Sequence, residues 1–173
     1  MAQDASIPAE EFVRIKQGDD YGWPYCHYDR LQGKKVLSPE YGGDGKVVGR
    51  CSTKKLPLFT FPAHWAPMSM AFYTKQQFPA RYVGGTFVAF HGDNFTDDRP
   101  RSDDPGYHVA FVPFVNGGPA GYEIFASGFV GSGTATATGA DHRATGLAQG
   151  PDGSLYITDD KGGRIWRVVY RGQ

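Results

Sequence analysis

All-β is the fold class this sequence predicts, and three observations predict it. The first is a repeated order of short strands. Ser69-Met70-Ala71-Phe72, then Gly85 through His91, then Tyr107 through Val112 follow the same order of events as Thr145-Gly146-Leu147-Ala148, Gly153 through Asp159, and Arg164 through Val169. The second is composition. With 24 Gly, 12 Pro and 14% aromatics in 173 residues, the chain suits many turns and stacked sheets and argues against a helical protein. The third is the pattern within strands. Leu155 and Ile157 alternate with Tyr156 and Thr158, and Trp166, Val168 and Tyr170 alternate with Ile165, Arg167 and Val169, so neither face is plainly polar. A sheet with one wet face alternates cleanly; these sheets are expected to have cover on both sides.

The turns between the strands carry their own chemistry. Pro151-Asp152-Gly153 supplies a preset φ, a side chain that bonds back to the backbone and a residue free to take positive φ. Lys161-Gly162-Gly163 does the same for the next turn. A further strand precedes each set: 57–61 before the first and 122–126 before the second. Four-stranded sheets covered on both faces by neighbouring sheets are propeller blades. The prediction is a single partial β-propeller domain over 1–173, with about two and a half blades. Residues 11–15 form the end strand of an incomplete blade, 16–56 a long Gly-rich loop excursion, 57–121 one blade and 122–173 another.

Lys plus Arg and Asp plus Glu both total 18, so the formal net charge is zero. That removes the electrostatic case for nucleic acid or an anionic membrane surface. No apolar run approaches the length of a membrane span, and the first ten residues do not read as a signal peptide. Cys26 and Cys51, the two cysteines, bracket the Gly-rich excursion. Closing such a loop with a disulfide stabilises by about 3 kcal/mol on the chain-entropy argument. One cysteine at each base of one loop favours the bond; the other reading is two reduced thiols in a cytosolic protein.

Candidate chemistry lies at strand ends. His64 stands in "FPAHWAPMSM" where one strand closes and the next begins, His91 ends a strand in "FVAFHGD", and His142-Arg143 precedes another. In a propeller such loops crowd one mouth of the central channel. His64, His91 and Arg143 together suit an anionic or quinonoid ligand, Arg offering a bidentate fork. The alternative is that strand-end histidines satisfy loop carbonyls. The acidic stretch at 93–104 lacks the oxygen spacing of a calcium loop and reads as a solvated loop. Cys26, His27, Cys51 and His64 fit no common zinc spacing, so no metal ligand is assigned.

Several stretches taken together carry a resemblance. "IPAEEFVRIKQGDDYGWPYCHYD", "SPEYGGDGKVVGRC", "FPAHWAPMSMAFYTKQQFPARYVGGTFVAFHG", "GYHVAFVPFVNG" and "HRATGLAQGPDGSLYITDDKGGRIWRVVY" resemble, in consistent order, the glucose/sorbosone dehydrogenase family. The resemblance implies a six-bladed propeller and a soluble quinoprotein that uses pyrroloquinoline quinone (PQQ), held with calcium, to oxidise a sugar or aldehyde. It also implies that this chain corresponds to the last two-fifths of such a propeller. The family's catalytic histidine, Arg-Asn quinone contacts and backbone calcium ligands fall before the part matching "PAEEFVRI", so no catalytic residue is assigned here. What carries over is His64, His91 and Arg143, as positions facing the cofactor side of the channel. After His91-Gly92 sorbosone-type members read Ser-Trp-Asn-Arg where this chain reads Asp93-Asn94-Phe95-Thr96, leaving Arg99 or Arg101 as the nearby bases.

The resemblance therefore implies the C-terminal part of a PQQ-dependent sugar or aldehyde dehydrogenase that passes electrons to an external acceptor. On this reading the fragment alone binds neither PQQ nor calcium and is inactive. Its partners are a sugar or aldehyde substrate in the intact protein and either the missing N-terminal blades or a second copy of itself. With the cysteine pair, it places the protein in the periplasm or outside the cell. A non-catalytic propeller module that binds through its loops, or a truncated product, stays open beside it.

Overall fold

The computed structural model describes residues 6–94 and 104–172. Among them the only helical elements are three short 3-10 turns, at Pro39–Tyr41, Gly49–Thr53 and Ala80–Tyr82; everything else regular is antiparallel strand. The chain forms two compact units, Met1–His64 and Trp65–Gln173.

In the first unit, β1 (Glu10–Phe12) has a partner 50 residues on, and between them lies a hairpin of β2 (Cys26–Asp29) and β3 (Lys34–Leu37). The hairpin runs from Cys26 opposite Leu37 to Asp29 opposite Lys34. Asp29 closes it, its Oδ1 accepting the N–H groups of Leu31 and Gln32 at 2.9 and 3.0 Å. β4 (Phe59–Phe61) pairs with β1, Glu10 opposite Phe61 and Phe12 opposite Phe59. The buried Lys35 ammonium is satisfied by Glu11 at 2.8 Å and by the Tyr21 carbonyl at 2.6 Å. Cys26 and Cys51 are bonded, with Cα atoms 5.8 Å apart, within ordinary bridging range.

The second unit holds two larger sheets. β5 (Pro67–Phe72), β6 (Thr86–Phe90) and β7 (His108–Val112) run antiparallel in chain order. Every residue of β6 and β7 is buried, which is why both read as near-continuous apolar runs after Thr86 and His108 at their starts. A small ribbon follows, β8 (Phe114–Val115) and β9 (Gly118–Pro119). Asn116 and Gly117, at φ 51° and 78°, make its turn, as a two-residue hairpin of positive φ requires. β10 (Glu123–Ala126) then pairs back onto β7, giving the order β10-β7-β6-β5. The last sheet is β11 (Ala144–Gln149), β12 (Leu155–Asp159) and β13 (Arg164–Val168).

The two sheets meet across an apolar interior that includes Tyr73, Phe87, Val109, Phe111, Leu155 and Ile157. β11 lies beside β5, where the Leu147 N–H donates to Ser69 Oγ at 3.2 Å. At one end the Tyr73 hydroxyl, fully buried, donates to the Gly153 carbonyl and accepts the Phe78 N–H, both at 2.9 Å. Gln149 and Thr74 exchange two bonds at the same end, Thr74 N to Gln149 Oε1 at 2.8 Å and Gln149 Nε2 to Thr74 Oγ1 at 2.9 Å.

Three expectations change. The repeat groups the strand at 57–61 with the three after it, and that at 122–126 with the last three. Instead Phe59–Phe61 pairs with β1, and Glu123–Ala126 is the fourth strand of the earlier sheet. The last sheet accordingly has three strands among the described residues. Apolar alternation tells which face a strand buries, not which neighbour it takes, and the short connection through β8 and β9 lets β10 return antiparallel onto β7. Secondly, the excursion at 16–56 contains a hairpin. Its Lys34-Lys35 pair masks the strand signal, because Lys35 is buried through an ion pair rather than exposed. Thirdly, two-sided cover holds for β6 and β7 but not for β13, an edge strand whose Ile165 is 70% exposed.

Candidate functional site

Among the described residues, polar side chains converge where β6 ends, β11 begins and β12 ends. Arg143, buried at the mouth of β11, is the centre. Its Nε donates to the His91 carbonyl at 2.9 Å. Its Nη2 reaches the carbonyls of Gly92 and Asp93 at 2.7 and 3.0 Å and Asn94 Oδ1 at 2.8 Å. The guanidinium also lies 5.4 Å from the Tyr107 ring centroid, a cation–π distance. A planar fork of five N–H donors suits this work, since one group can collect several carbonyls of a tight loop.

The loop is shaped to receive it. Gly92 takes φ +86°, and a Cβ there would stand 2.5 Å from the Tyr107 ring. The Tyr107 hydroxyl in turn donates to the Asp93 carbonyl at 2.8 Å. Arg143 is anchored from its other side, where its own N–H donates to Asp159 Oδ1 at 2.9 Å.

Asp159 ends β12 and organises the following turn. Its carboxylate accepts the N–H groups of Lys161 and Gly162 at 3.0 and 2.9 Å and lies 2.7 Å from His142 Nδ1. Burial pushes its carboxyl up, but the bonds from Arg143, Gly162, His142 and Lys161 outweigh burial and hold it below the ordinary value of 3.8. Asp160 is also held low: burial raises it, and the bond and charge of His91 together with a bond from Thr145 outweigh burial. His91 Nε2 lies 2.9 and 3.1 Å from the two Asp160 oxygens.

Of the three residues nominated from sequence, the structure brings two together. His91 and Arg143 are joined through the His91 carbonyl, while the His91 ring faces Asp160. His64 belongs to the first unit, where its Nε2 meets the Ile7 carbonyl at 3.0 Å. It stands at φ 64°, a left-handed conformation uncommon for a residue with a Cβ. Arg99 and Arg101 lie outside the described residues. Sequence reasoning missed Asp159 and Asp160 and gave His142 no role beside Arg143. Asp159-Asp160 reads as the start of a turn, which it is, and its bonds to Arg143 and His91 arise only when β12 pairs with β11 and the end of β12 comes near the end of β6. Among the described residues, no group of three or more His, Cys, Asp or Glu is placed to hold a metal ion.

Face-to-face antiparallel sheets with β5 and β11 side by side, and a polar cluster built from the loops at one end of them, define part of a β-propeller. The chain belongs to the TrAA12-like family, whose model matches residues 6–171. An uncharacterized protein of Borreliella burgdorferi is 29% identical over 169 residues, covering 95% of this chain and 40% of its own. The calcium structure of a Trichoderma reesei protein of Carbohydrate-Active Enzymes Family AA12 superposes with a TM-score of 0.62 at 23% identity, over 93% of this chain and 42% of that one. A glucose dehydrogenase structure follows at 0.57 and 22%, over 88% and 36%. The chain thus spans about two-fifths of the length of the relatives it matches.

Proposed function

We propose that this chain is the C-terminal part of a PQQ-dependent sugar or aldehyde dehydrogenase, similar to the glucose/sorbosone dehydrogenases, oxidising a sugar or aldose-type substrate and passing electrons to an external acceptor. The observation that carries the proposal is the family match over 6–171 in a chain that spans two-fifths of its relatives. The exposed edge of β13, with Ile165 at 70%, supports the remaining blades of such a protein as the natural partner. The disulfide between Cys26 and Cys51 supports an oxidising compartment, periplasmic or extracellular.

On our reading PQQ and calcium are held only once the rest of such a protein is present. The Arg143 guanidinium is engaged by four oxygens of the 91–94 loop, the His91 ring by Asp160, and His64 by a backbone carbonyl in the other unit. On the same reading His91 and Arg143 shape part of the wall of a cofactor channel completed elsewhere, and no proton transfer is assigned to them. A general base must stand within hydrogen-bond reach of the sugar hydroxyl, and misplacement by ~1 Å already costs on the order of a hundredfold in rate.

The test is dye-linked sugar oxidation with added PQQ and calcium, by the purified chain and by the chain mixed with a separately produced N-terminal three-fifths of a TrAA12-like protein. Turnover only in the mixture is expected. Turnover by the chain alone, or by neither preparation, overturns the proposal.

A further inference from the structure

Trp23 is 88% exposed, yet it sits in one of the most constrained stretches of the first unit. One residue away, Gly22 accepts the Cys26 N–H at 2.9 Å, and Cys26 is bonded to Cys51. The disulfide sets two segments side by side. Tyr25 precedes one cysteine and Arg50 the other, and the Arg50 guanidinium lies 4.4 Å over the Tyr25 ring. Tyr41 packs edge-on against Tyr25 at 4.7 Å. Together Trp23, Tyr25, Arg50, Asp20, Thr53 and Lys54 line a concave cavity of about 260 Å³.

The polar groups of that cavity are held in place. Asp20 accepts the Gly22 N–H at 2.8 Å and the Lys54 ammonium at 2.5 Å. The result is an exposed indole on a rigid base, rimmed by a carboxylate, two cations and a hydroxyl. A large exposed aromatic with polar groups converging beside it marks a surface suited to contact with a ligand. A pyranose matches it chemically. Its flat C–H face packs on an aromatic ring, while its rim of hydroxyls both donates to carboxylates and accepts from Lys, Arg and Thr.

We infer that the pocket around Trp23 in the first unit binds a pyranose unit of an oligosaccharide. The choice of sugar as ligand class rests on the dehydrogenase reading; the pocket's geometry does not. Of the three tryptophans, Trp65 is buried and Trp23 is the highly exposed one, so acrylamide quenching of the exposed emission reports on this site. Cellohexaose, maltohexaose and hexa-galacturonate are the probes, followed by fluorescence and by calorimetry on the full chain. At least one is expected to protect Trp23 saturably. By calorimetry, Trp23→Ala is expected to weaken that binding about tenfold, the size of one lost aromatic contact, while Trp23→Phe retains most of it.

No binding by any of the three, or equal affinity in Trp23→Ala, overturns the inference. So does protection of Trp23 that rises with protein concentration in the absence of sugar, which assigns the face to a second copy of the chain. Sugar-dependent turnover in the reconstituted mixture without binding at Trp23 overturns this pocket and leaves the dehydrogenase reading standing. Binding at Trp23 without turnover does the reverse.

Discussion

Arg143 Nε donates to the carbonyl of His91 at 2.9 Å, tying the start of β11 to the end of β6 across 52 positions of sequence. The same guanidinium collects the next three residues of that loop. The two blade-like sheets of the second unit are therefore joined at this end by Arg143 together with the His91–Asp160 contact, and at the other by the Tyr73 hydroxyl and the Gln149–Thr74 pair.

Arg143→Ala is expected to destabilise the second unit by on the order of 3 kcal/mol, because removing one buried donor group leaves several loop carbonyls unpaired. Arg143→Lys is expected to recover only part of this, since an ammonium cannot span the same oxygens. Urea unfolding gives the stability, and hydrogen exchange at 91–94 shows whether the loss is local to the loop. Unchanged exchange there would contradict the role assigned to Arg143.

Tyr73→Phe removes a single oxygen that serves two partners, the Gly153 carbonyl and the Phe78 N–H. Both are left without a bond in a buried setting, at a cost of about 1–3 kcal/mol. A fall in Tm of several degrees is expected on a chain of this size, measured by thermal unfolding. The ring itself stays, so an unchanged Tm would mean that packing alone holds this end.

Reducing the Cys26–Cys51 bond opens a loop with a sequence separation of 25. Loop entropy puts the loss at about 3 kcal/mol. Chemical unfolding with and without reductant is expected to shift only the transition that involves the first unit. The Cys26→Ala/Cys51→Ala variant is expected to match the reduced protein and to lose the Arg50–Tyr25 stacking.

Asp159 predicts the acid behaviour of the second unit. Its folded pKa is depressed below 3.8, so as pH falls the unfolded chain takes up the proton first. Its contribution is fully present above the ordinary carboxylate value and is lost as pH drops through the folded value. Stability measured by urea unfolding between about pH 5 and pH 2 is expected to fall, and to fall less steeply in Asp159→Asn. An identical pH profile in that variant would remove Asp159 from the explanation.

Some of this molecule follows from sequence alone. β6 and β7 are near-continuous apolar runs because both faces are buried, and such a run reads as a strand wherever it lies. The turns at Pro151-Asp152-Gly153 and Lys161-Gly162-Gly163 are local chemistry, visible within three residues. The Cys26–Cys51 bond is legible because one cysteine stands at each base of one loop. The resemblance to a sugar dehydrogenase family is carried by ordered stretches along the chain, and the family match spans the same residues.

What only the tertiary structure decided is who meets whom. Periodicity could not say that Glu123–Ala126 turns back onto β7, or that Phe59–Phe61 pairs with β1, because a strand's pattern records its buried face and not its neighbour. Nor could it assign Arg143: an arginine before a strand serves a ligand or a loop equally well, until β11 is laid beside β6 and four oxygens from 91–94 close around it. His64 and Trp23 make the same point from opposite sides. Folding turned the first toward a backbone carbonyl and left the second standing in solvent, because burial is settled by contacts distant in sequence, while sequence patterns report the chain's local preferences.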